Sequence, residues 1–155
     1  IIYRPRDYIY YFQRVIYYAR IRGTKYLTKR DFESALSEYS DYVVLSLSGE
    51  SQPFIPSVMD LLLEFDRGKA VLTMEELNEV FKRAEIEERD FRKVVDYLAA
   101  VNFLGYGIDD YNFRFPVSPS DEAVIIKRFL RHAARSKGMR RFKIHNAFHR
   151  ALNIQ

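Results

Sequence analysis

Cysteine is absent from all 155 residues. That excludes a disulfide framework, thiol catalysis and cysteine-based zinc sites, and it fits a reducing cytosol, so the expected compartment is the cytoplasm. Long apolar runs are missing too. None approaches the ~20 residues needed to span a bilayer, and no membrane partner is expected. No segment reads as a signal peptide. The chain also lacks a G-x-x-x-x-G-K-[ST] loop, a G-x-G-x-x-G turn and any acidic strand end suited to holding magnesium. It has no means of cradling phosphates alone, and by itself it is not expected to be an enzyme. Internal repeats and low-complexity segments are absent as well.

What is present is 48% hydrophobic and 30% charged sequence, enough for one or two small domains that each bury a core. The first residues are Ile1-Ile2-Tyr3 with no Met, and a cut from a longer polypeptide is expected. Charge is distributed unevenly. Residues 1–30 hold eight Lys/Arg and one Asp, residues 31–126 eight Lys/Arg against twenty Asp/Glu, and residues 127–155 nine Lys/Arg and no acid. Basic ends around an acidic middle imply either docking of the ends on the middle or basic faces turned toward phosphates; solvated helix faces are the plainer alternative.

Pro5 suits the first turn of a helix and Gly23 the position past its end, so residues 6–22 are expected to form one helix. Ile9, Phe12, Val15 or Ile16, and Ala19 recur at helical steps and predict its inner face. Tyr8, Tyr10, Tyr11, Tyr17 and Tyr18 widen the apolar stripe, which implies burial against several neighbours, some outside this chain. Thr28 with Asp31 opens a second helix through Phe32, Ala35, Leu36, Tyr39, Val43 and Leu47, expected to stop at Gly49. The two form an antiparallel hairpin over residues 1–50. Ser51-Gln52-Pro53 and Pro56 mark the boundary to a second domain, residues 51–155.

There the elements shorten. Val58, Leu61, Leu62 and Phe65 share one helix that Gly68 ends, and Thr73-Met74-Glu75-Glu76 caps the next, through Val80 and Phe81. Glu87–Asn102 reads as a third helix with Phe91, Val94, Val95, Leu98 and Val101 inward. Phe103–Ile108 and Tyr111–Phe115 then alternate as a β-hairpin around Asp109-Asp110. Three helices and a hairpin follow winged-helix order. Glu122–Ser136 is expected to be a further helix, Arg140–Ile144 a strand beside the wing, and Ala147–Leu152 a last helix capped by Asn146. The expected class is therefore mainly α with a small β wing: a helical hairpin followed by a winged-helix domain with a C-terminal helical extension.

Several local motifs occur in a telling order. Arg4-Pro5-Arg6-Asp7 heads the first helix and Glu38-Tyr39-Ser40 lies in the second; Phe103-Leu104-Gly105-Tyr106 precedes Phe113-Arg114-Phe115, and residues 142–152 read Phe-Lys-Ile-His-Asn-Ala-Phe-His-Arg-Ala-Leu. In this order they resemble a family of bacterial P-loop ATPases, related to the AAA and signal-transduction ATPases, whose members end in a winged-helix region. Asn146 departs from the pattern, which has proline there. The resemblance implies that Walker loops lie N-terminal to residue 1, that an upstream ATPase domain is a partner, that residues 1–50 form its helical lid, and that ATP with magnesium is the cofactor of the longer protein. It implies a role in bacterial defence or stress signalling as well. In such proteins a Pro-Arg pair at the start of the lid helix faces the nucleotide. Arg6 is then the preferred nucleotide sensor, Arg4 the second choice, and Pro5 a contact to base or ribose, because a guanidinium forks onto phosphate oxygens beside a positive helix end. The alternative is that Arg4, Arg6 and Asp7 simply cap a surface helix.

DNA binding through the third helix conflicts with Glu85, Glu87, Glu88 and Asp90 at its start and Asp109-Asp110 at the wing tip, so protein contact is favoured. A nucleic-acid or partner surface is better sought on Lys127, Arg128, Arg131, Arg135 and Lys137, continuing into Arg140, Arg141 and Lys143. His145 and His149 are four apart, yet no acid or cysteine follows Glu122 to complete a metal shell, and structural roles at the strand-to-helix turn are expected. Three readings stand at this point: an ATPase lid and regulatory end, a DNA-binding module using the basic C-terminal surface, and an assembly module that captures a protein or a second copy through the first helix.

Overall fold

The computed structural model describes residues 4–107, 112–115 and 141–155. Among these the chain is mainly helical, with one small antiparallel sheet. Helix α1 (Pro5–Ile21) starts where proline sets φ and needs no N–H partner. It stops at Gly23, whose φ of 71° lets its N–H reach Arg20 O while Thr24 N–H reaches Ala19 O, the paired closure that suits a glycine. Helix α2 (Lys29–Ser51) begins at Thr28, whose N–H and hydroxyl both donate to the Asp31 carboxylate, at 2.7 and 2.9 Å.

Two expectations about this hairpin are corrected. The inner face of α1 is Asp7, Tyr11, Val15 and Ala19, while Ile9, Phe12 and Ile16 are exposed. A four-residue ridge packs along α2, and the other apolar stripe is left facing solvent. Nor does α2 stop at Gly49. Its last turn is held from outside, by Arg4 and Arg6 at the start of α1 on Glu50 and by the Tyr97 hydroxyl donating to Ser51 Oγ at 2.9 Å, and such anchoring outweighs the roughly 1 kcal/mol that glycine costs inside a helix.

Beyond the hairpin come α3 (Val58–Leu63), β1 (Val71–Thr73), α4 (Met74–Arg83), α5 (Phe91–Ala100), β2 (Leu104–Gly107), β3 (Phe113–Arg114) and β4 (Arg141–Ile144). Val58, Leu61, Leu62, Phe65, Val80, Phe81, Phe91, Val94, Val95 and Leu98 are buried as their spacing predicts. Helix α3 ends at Leu63, short of Gly68, and a 3-10 turn at Glu88–Asp90 replaces the first turn expected for the third helix. Thr73 caps α4 with the reciprocal Glu76 bonds that its sequence implies.

The sheet order is β1-β4-β2-β3, with every pair antiparallel. Strand β1 has no counterpart in the sequence reading, because three residues are too few to show alternation. Strand β4 falls where expected but sits centrally, pairing Phe142 with both Leu72 and Tyr106. The last helix is instead a 3-10 turn, Asn146–Phe148, and its cap is His145, whose Nδ1 accepts the Ala147 N–H at 3.2 Å, not Asn146. Gln155 and Leu152 then bond residues 67–70 through backbone groups. One apolar core runs from Tyr11 and Tyr39 of the hairpin through Phe65, Phe81 and Phe103 to Phe148 and Leu152. The wing tip and the expected helix Glu122–Ser136 lie outside the described residues.

Candidate functional site

The first turn of α1 meets the last turn of α2 at a cluster of four charged side chains. Arg4 Nη1 donates to Glu50 Oε2 at 2.9 Å, and Arg6 Nη2 donates to the other carboxylate oxygen. Ser46, one turn earlier on α2, donates its hydroxyl to Glu50 Oε1 at 3.0 Å. Partial burial pushes the Glu50 carboxyl upward, but the serine hydroxyl and the two guanidiniums outweigh it and hold the group below the usual carboxylate range. Arg6 is raised in turn: its own desolvation opposes the charge, and the Glu50 contact prevails. Both preferred sensor residues thus converge on one point, and the carboxylate there is one that sequence reasoning missed. Its signal was weak, an acid at the far end of the partner helix whose relevance depends on the hairpin register.

Arg4 also reaches the Val101 carbonyl at 3.5 Å, tying the start of α1 to the end of α5. Asp7 completes the cluster from beneath. It is 2% exposed, its Oδ1 lies 3.9 Å from Arg6 Nε, and its Oδ2 is buried without a hydrogen-bond partner. Burial pushes its carboxyl above the usual range, against the pull of Arg4 and Arg6. A small pocket opens beside it between Arg4, Ser46, Val101 and Phe148. Pro5 is exposed at the rim of this end.

Farther along the hairpin the same chemistry repeats. Arg14 Nε donates to Glu38 at 2.7 Å, where the Tyr18 hydroxyl also donates at 3.0 Å, and Arg22 Nε donates to Asp31 at 3.1 Å. Four of the eight cations in residues 1–30, Arg4, Arg6, Arg14 and Arg22, therefore reach across to carboxylates of α2, and Lys29 pairs with Glu33 within α2 itself. The uneven charge of the sequence is realised here as docking of a basic end on an acidic middle.

Of the expected basic surface, Lys127, Arg128, Arg131, Arg135, Lys137 and Arg140 lie outside the described residues. Arg141 and Lys143 stand on β4 opposite Thr73 and Val71, alternating with buried Phe142 and Ile144, and Lys143 Nζ lies 5.9 Å from the centre of the Phe113 ring. They do not join the Arg4–Arg6 cluster. The two histidines have structural roles. His145 caps the turn and packs edge-on against Phe115, ring centres 4.7 Å apart, and His149 Nε2–H donates to Ile144 O at 2.9 Å. Burial pushes the His145 imidazole down to about 4.

No helix of the described residues is long and apolar enough to cross a membrane. No curated protein and no solved structure matches the chain. Residues 1–48, which hold α1 and nearly all of α2, are similar to the FunZ-associated C-terminal helical domain.

Proposed function

We propose that the chain is the non-catalytic C-terminal regulatory and interaction region of a P-loop ATPase, supplying a nucleotide-responsive arginine from α1 and a winged-helix module for protein contact. The observation that carries the reading is the convergence of Arg4 and Arg6 on the two oxygens of Glu50 at a helix N-terminus. A carboxylate held by two guanidiniums occupies the geometry in which a phosphate would present its oxygens, and the helix end favours negative charge there. Glu50 stands in for that anion until nucleotide competes for it. ATP and magnesium would be held by the upstream domain, since this chain brings arginines and no phosphate-binding loop. An arginine that contacts the terminal phosphate distinguishes ATP from ADP, and the difference moves the hairpin.

The order α3-β1-α4-α5-β2-β3 supports the winged-helix assignment. Glu85, Glu87 and Glu88, all exposed before α5, support a protein partner for it over DNA in the major groove.

The test is ATP turnover by the longer polypeptide carrying Arg6→Ala. Loss of a charge-assisted contact worth about 1.5–3 kcal/mol lowers turnover at least about tenfold, while the melting temperature stays within a few degrees. Unchanged turnover, or a natural polypeptide without a P-loop, overturns the reading.

A further inference from the structure

With Arg4, Arg6, Arg14 and Arg22 occupied by α2, the remaining cations of the first thirty residues are Arg20, Lys25, Lys29 and Arg30. All four lie at the hairpin tip, where every residue from Arg20 to Arg30 is exposed and no acid intervenes. Lys29 has only a 3.5 Å contact with exposed Glu33, and no ion pair among the described residues holds the other three. The loop between the helices is built, not slack. Arg22 Nη2 and Thr24 Oγ1 both donate to the Tyr26 carbonyl, at 3.1 and 3.0 Å, while Arg22 is itself anchored on Asp31 and Asp31 on Thr28. This network fixes the backbone on both sides of Tyr26, which is 81% exposed and meets no other ring among the described residues.

A large exposed aromatic side chain on a fixed backbone, among four cations of which three have no ion pair among the described residues, suits a polyanion that carries its own flat rings. We propose that the α1–α2 tip binds single-stranded nucleic acid, with Arg20, Lys25, Lys29 and Arg30 on the phosphates and Tyr26 stacked on one base. A duplex hides its base faces and is entered by a helix or ribbon seated in a groove, whereas a lone protruding ring meets an unpaired base. Ile21 and Leu27 are exposed at the same tip and add apolar surface to it. The site is separate from the Arg4–Arg6 cluster at the opposite end of the hairpin, and it does not depend on that cluster's function.

Fluorescence anisotropy of the 155-residue chain with labelled 20-nucleotide dT and rU strands tests this, alongside an abasic strand and phosphatidylserine vesicles. The expected results are binding whose log–log salt slope is about −3, four phosphates at about −0.7 each, and a loss on Tyr26→Ala of about tenfold, the lower part of the range for one stacked base. Tyr26→Phe restores affinity, the abasic strand is insensitive to Tyr26→Ala, and Lys25→Glu with Arg30→Glu removes most binding to every strand. Failure to bind at low salt overturns the proposal. So does binding that ignores the tip substitutions and falls only with Arg141→Glu plus Lys143→Glu, or a vesicle affinity that exceeds the strand affinity and carries the Tyr26 dependence.

Discussion

Glu50 holds two arginines with one carboxylate, so its charge matters more than its bulk. Glu50→Gln keeps the shape and the Ser46 contact but leaves Arg4 and Arg6 facing a neutral amide. Because the group is more than a third exposed, the stability loss is about 1 kcal/mol or less by thermal melting. The same substitution unmasks the guanidiniums, so pyrophosphate at millimolar concentration raises the melting temperature of the variant more than that of the natural chain. An equal response in both would mean that Glu50 does not compete with phosphate. The sequence made Arg4, Pro5 and Arg6 legible because proline and charge at a helix start have fixed meanings. Glu50 was not legible, since its partners lie forty-odd residues away, nor was the orphaned oxygen of Asp7, which depends on what the fold packs over it.

At the scale of elements, the α1–α2 hairpin is specified at both of its ends. Gly23 closes α1 in the left-handed region, and a Cβ there meets no neighbour within 4 Å. Gly23→Ala therefore tests backbone conformation alone. A cost of about 1–2 kcal/mol is expected by chemical denaturation; a neutral or stabilising result would show that the turn relaxes. The Arg–carboxylate contacts at Glu50, Glu38 and Asp31 step down the antiparallel helices at a nearly constant register, and a slip would disturb them together. Capping residues and apolar spacing announced both helices and most of α3 to α5. Which face of α1 is inside was not announced, because Ile9, Phe12 and Ile16 form a stripe as regular as Tyr11, Val15 and Ala19. Periodicity finds stripes; only the partner decides between two of them.

Across the whole molecule, the final turn closes the fold, and His145 gives that closure a pH dependence. Its Nδ1 must be unprotonated to accept the Ala147 N–H, and burial beside Phe115 holds its pKa at about 4 in the folded chain. The unfolded chain, with a histidine near 6.5, binds more protons between those values, so stability falls as pH falls through that window. Melting curves from pH 7 to 4.5 are expected to drop more steeply for the natural chain than for His145→Gln. Parallel curves would sink the assignment. This turn was visible in the sequence only as a short helix, and β1 not at all, since three-residue strands take their identity from the neighbours that pair with them.

Strand β4 lies between β1 and β2, although some seventy residues separate it from β1. A ribosome must therefore pass Ile144 before β1 finds any partner and before β2, already able to pair with β3, finds its second. Until then β1 stays unpaired and β2 keeps one edge open, and open edges are sites for unwanted association. The α1–α2 hairpin, complete far earlier, waits as well, for the C-terminal turn whose Ala151 N–H donates to Ser40 Oγ and whose Arg150 reaches the Glu33 carbonyl. Premature termination anywhere before residue 141 would leave β1 and β2 without their shared partner and α2 without the turn that covers it, a product that cellular quality control would meet by its open edges and uncovered core.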